Sequence, residues 1–190
     1  MLAMLGAMGV GFGAIGLTGA CSGPSDPNIG VDLPPSDATN WHPVADFMTL
    51  RCGTLDCHGN VQRNFVIWGC NGHRLETGEG GLTPGCARQG GTNTTDDEYN
   101  ATYRSLVGLE PATISFVVQN HGSDPELLTF IRKARNEETH KGNQLVVPGD
   151  EQDDCMTSWL TGTTNLDACK AAITFATNVG VAPVTGDAGP

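Results

Sequence analysis

Residues 52–59 read Cys52-Gly53-Thr54-Leu55-Asp56-Cys57-His58-Gly59. Two thiols bracket a four-residue arc, and an imidazole follows the second thiol directly. Two cysteines this close can form a disulfide that closes a short loop, leaving His58 at the surface beside a glycine turn. Sulfur and nitrogen donors also suit zinc, with a fourth ligand from His73 or His140. Against zinc, the adjacent Cys57 and His58 are awkward on one tetrahedral ion, and an oxidising compartment competes for the thiols. Exchange chemistry of the thioredoxin kind uses two intervening residues on a βαβ scaffold, and the spacing here is four.

Outward from this stretch the pattern is mostly helical. Upstream, residues 43–51 form a helix that runs into Cys52, with Pro43 in the first turn and Val44, Phe47, Met48 and Arg51 on one face. Downstream, residues 63–68 (RNFVIW) read as a strand, because Phe65, Val66, Ile67 and Trp68 favour extended backbone. Residues 70–95 are a long loop rich in Gly, Thr and Asn. Thr95-Asp96-Asp97-Glu98 is a capping box opening a helix with Tyr99, Tyr103, Leu106 and Val107 inward, which Pro111 ends. Residues 113–119 (TISFVVQ) read as a short strand or extended piece. Asp124-Pro125 starts a third helix with Leu127, Leu128 and Ile131 inward. The fourth spans about residues 150–160, with an acidic first turn and Met156, Trp159 and Leu160 buried.

The Cys-x4-Cys-His element resembles the haem attachment site of bacterial c-type cytochromes, a longer-spaced variant of Cys-x-x-Cys-His. In that family two thiols form thioethers with the haem vinyl groups and the adjoining histidine ligates iron. The resemblance extends over residues 43–162. The helix before the motif is similar to the one that opens cytochrome-c-like domains, and Trp159-Leu160-Thr161-Gly162 is similar to their closing helix. The resemblance implies a small cytochrome-c-like helical domain with long disulfide-stapled loops and one or two short strands. It implies one covalent haem c on Cys52 and Cys57, with His58 as proximal ligand. Where the family often has a methionine as second ligand, this chain has Thr139-His140-Lys141-Gly142, which implies His140 in that role. Met156 and His121 are the other candidates.

The N-terminus points to export. Residues 1–20 carry no charge, contain six glycines and end Thr18-Gly19-Ala20 before Cys21. That ending suits a cleaved signal peptide. It also resembles the lipobox of bacterial lipoproteins, which implies lipid on Cys21 and attachment to the cell envelope, facing the periplasm or the cell surface. Residues 21–40 read as anchor and flexible linker, 41–177 as the domain and 178–190 as a disordered tail. Besides Cys21, six cysteines remain. An even number in an exported chain suggests oxidised pairs, and neighbours in sequence couple as Cys52/Cys57, Cys70/Cys86 and Cys155/Cys169. Sequence order is only a guide to pairing.

A net charge of −11 argues against nucleic acid, whose phosphates require Lys and Arg clusters. No hydrolase or nucleotide-loop signature is present. The expectation is therefore not an enzyme but an electron-transfer module passing single electrons to a redox partner protein. The alternative is a haem-free, disulfide-stapled envelope lipoprotein that acts as a structural or interaction domain.

Overall fold

Three aromatic rings anchor the core. Trp41 and Trp159 lie 4.8 Å apart, and Tyr103 meets both edge-on at 5.5 and 6.1 Å. Each places its polar atom on a backbone carbonyl: Trp41 Nε1 donates to Tyr99 O, Trp159 Nε1 to Pro35 O and the Tyr103 hydroxyl to Pro34 O. Large rings are thereby buried without stranding a donor.

The computed structural model describes residues 30–75 and 93–179. The signal peptide, Cys21, residues 76–92 with Cys86, and the tail from residue 180 lie outside the described residues. So do residues 21–29 of the expected anchor and linker. Its residues 31–40 are not free. Pro34 is buried, and the Pro34 and Pro35 carbonyls receive the two core donors just named.

Among the described residues, six α-helices carry the fold: α1 (Trp41–Cys52), α2 (Asp96–Val107), α3 (Pro111–Gln119), α4 (Thr129–Ala134), α5 (Glu151–Leu160) and α6 (Leu166–Val179). α1 packs on α2, α5 and α6, and α5 packs on α6. The Cys155–Cys169 disulfide ties the last two, with both residues fully buried. Cys70 is also disulfide-bonded. Among the described residues no helix is long and apolar enough to cross a membrane.

Local chemistry explains the helix starts. Thr95 accepts from Glu98 N while the Glu98 carboxylate accepts from Thr95 N, so the capping box is complete. Asp150 caps α5 by accepting from Asp153 N. Glu98 is 0 % exposed and also takes Arg74 Nε at 2.6 Å and Arg74 Nη2 at 3.0 Å. A buried carboxylate is tolerable because donors surround it.

The described residues hold no strand, which corrects both strand expectations. Residues 65–68 are apolar and buried or half-buried, but their N–H groups find no sheet. Val66 N donates to Ser105 Oγ, Trp68 N to Thr102 Oγ1 and Ile67 N to His58 O. Side-chain hydroxyls of α2 replace a partner strand. Residues 113–119 are helical, inside α3. Pro111 opens that helix rather than ending α2, and burial of Ile114, Ser115 and Val117 on one face overrides β-branched propensity. The third expected helix is broken. A 3-10 turn, Pro125–Leu127, stands apart from α4 because Leu128 is extended, and Leu127 is 42 % exposed rather than inward. α6 was not expected as a separate helix reaching Val179.

Candidate functional site

α1 ends at Cys52, and Gly53 caps it by donating its N–H to Thr49 O. The arc then folds on itself. Cys57 N and Gly59 N both donate to Thr54 O, and His58 N donates to Cys52 O. Arg63 clamps the arc from outside, with Nε donating to Cys57 O and Nη2 to Asp56 O. Gly59 has no room for a side chain: a Cβ there would strike Gly53 O and stand 2.6 Å from Gly72 Cα. Residues 69–73 pass directly behind the arc, held by His73 N donating to Gly59 O. His58 is thus set in a tight loop.

Cys52 and Cys57 are free thiols, Cys52 half-buried and Cys57 exposed. The short disulfide loop that their spacing allows is not formed. Burial, opposed by Arg51 and reinforced by Cys57, pushes the Cys52 thiol up to about 12, so it stays protonated at neutral pH. Among the described residues no three His, Cys, Asp or Glu side chains gather as a metal-holding group. The zinc reading, with three or four protein ligands, has no ligand set.

His140 comes to the same place from the loop between α4 and α5. Its ring centre lies 6.1 Å from that of His58, with the planes 21° apart. That is well beyond face-to-face contact. Each ring uses Nδ1 on a backbone carbonyl: His58 on Phe65 O at 3.0 Å, His140 on Asn143 O at 3.4 Å. An Nδ1–H donated to a carbonyl leaves Nε2 as the unprotonated, ligating nitrogen. Burial foremost holds His58 below the usual imidazole range, the Phe65 carbonyl opposing and His140, Arg63 and Lys133 assisting. It is neutral at pH 7.

Both histidines line a cavity of about 310 Å3. Its wall is apolar, made by Met48, Phe65, Leu109, Phe130, Leu145 and Met156, with Cys52 at one side. Arg63, Asn64, Thr129 and Lys133 make the polar part of its lining. A neighbouring depression shares His58, Arg63 and His140 and adds Cys57, Lys141 and Gly142. Free thiols, two imidazoles and an apolar hollow therefore meet in one region.

His73 and His121 line neither hollow. His73 is exposed, and His121 sits at φ 55° in the turn after α3. Met156 is 2 % exposed and belongs both to the core and to the cavity wall. Sequence reading missed Met48, Phe130, Leu145 and the cations Arg63 and Lys133. Only Met48 had a signal, as an apolar residue one helical turn before Cys52. Comparison with protein-family models, curated proteins and solved structures gives no match to this chain.

Proposed function

We propose that the domain is an exported electron-transfer module that holds one covalent haem c. The observation that carries the reading is the His58–His140 pair. Metal–imidazole bonds run about 2 Å and a ring centre lies about 1 Å behind its nitrogen, so two imidazoles sharing an ion between them stand about 6 Å apart. The 6.1 Å between the two ring centres fits that spacing. A haem iron takes only two protein ligands, so the missing third donor does not count against it.

The remaining groups suit the same use. Cys52 and Cys57 hold the haem as thioethers, and both thiols are free for it. His58 is the proximal ligand and His140 the distal one. Met48, Phe130, Leu145 and Met156 keep water from the apolar face of the site. Haem supplies a one-electron couple when bound. Two imidazoles favour a lower potential than a histidine–methionine pair. The Cys155–Cys169 disulfide supports an oxidising compartment, in keeping with export and with the lipid anchor on Cys21.

The test is a pyridine haemochrome spectrum on protein exported with a c-type haem maturation system. A covalent haem signal that Cys57→Ala weakens and Cys52→Ala/Cys57→Ala abolishes is expected. Folded, helical protein without haem, beside a matured control cytochrome, would overturn the reading and leave the haem-free envelope domain.

A further inference from the structure

We propose that residues 140–144 are a strap that releases His140, opening a site opposite His58 for a small uncharged ligand such as carbon monoxide. This rests on the haem reading above and deepens it.

The two imidazoles are held very differently. His58 donates its backbone N–H to Cys52 O, sets Nδ1 on Phe65 O and lies 5.0 Å from the buried Phe65 ring. The next residue, Gly59, is wedged between Gly53 and Gly72. Moving His58 means dismantling the arc. His140 instead hangs between two pinned points. Upstream, Lys133 Nζ donates to Thr139 O and pairs with Glu138 at 2.7 Å. Downstream, Leu145 N donates to Ala134 O, and Arg51 Nη2 donates to Leu145 O.

Between those pins the hydrogen bonds of residues 140–144 are internal. Asn143 N donates to His140 O at 3.1 Å, and His140 Nδ1 meets Asn143 O at 3.4 Å. Lys141, Asn143 and Gln144 are exposed. The strap can swing on its pins without losing a hydrogen bond to the rest of the domain, so its opening free energy is low beside that of the arc. The cavity that His140 lines is also lined by Met48, Phe130 and Met156. The apolar wall suits a small neutral ligand, which enters without desolvation cost, while Arg63 and Lys133 line the polar side.

Mixing the reduced, haem-loaded protein with carbon monoxide tests this. Wild type should form the complex at a rate that levels off as carbon monoxide rises, because strap release becomes limiting. His140→Ala should bind at least tenfold faster with no plateau, and Lys133→Ala, which removes the upstream pin, should raise the plateau severalfold. A six-coordinate wild type that forms no complex overturns the proposal. So does His140→Ala binding at the wild-type rate, or showing methionine in the vacated place. Absence of covalent haem removes the reading beneath it as well, and is distinguished by the haemochrome.

Discussion

Gly142 lies against the ring of His140, so close that a Cβ on it would stand 2.9 Å from Cε1 and 3.3 Å from Nδ1. The first prediction follows from that contact. Gly142→Ala forces the ring off its position, while the exposed turn keeps its backbone. Stability of the haem-free protein should stay within about 0.5 kcal/mol of wild type. The haem-loaded variant should lose part of its low-spin absorption with covalent haem yield unchanged. An unaltered spectrum would remove His140 from the iron.

Asp46 accepts the Tyr99 hydroxyl at 2.6 Å, while His42 stacks on the Tyr99 ring at 3.8 Å. Burial, opposed by the Tyr99 bond, raises the Asp46 carboxyl to about 6 from an ordinary 3.8. The folded protein therefore binds more protons than the unfolded chain between those values. The sign is a loss of stability as pH rises from about 4 to 6, on the order of 1–2 kcal/mol for this half-buried group, with the penalty complete above. Asp46→Asn should abolish that loss in urea unfolding across pH 4–8. Burial lowers His42 and His58, and their contribution has the opposite sign and should remain. A slope identical in the variant would sink the assignment.

Glu98, fully buried at the start of α2, receives Arg74 Nε and Nη2, Leu75 N and Thr95 N. Glu98→Ala removes a buried carboxylate that accepts from Arg74, Leu75 and Thr95 and breaks the capping box. It should cost about 3–5 kcal/mol in equilibrium unfolding. A loss under 1 kcal/mol would show that the cluster contributes little.

Several elements were legible in the chain. The capping box at Thr95 and Glu98, the Asp150 start of α5 and the helix feeding Cys52 rest on contacts within a few residues. The tie between Cys155 and Cys169 spans 14 residues and brackets one short connection, so it too was legible. Residues 65–68 were misread because β-favouring side chains report burial, not a partner strand, and their actual partners are Ser105 and Thr102 on α2. The break before α4 was likewise hidden, since nothing near Leu128 in sequence marks its extended backbone.

What the sequence determined by itself is local: helix starts and the thiol–thiol–imidazole arc, since capping and chain turns depend on neighbours along the backbone. Only the tertiary structure decided that His140 faces His58 across an apolar hollow and that Cys52 and Cys57 stay unpaired. Those facts depend on where α1, α4 and the loop before α5 come to lie once Trp41, Tyr103 and Trp159 are buried together, and no spacing along the chain encodes a distance through the core.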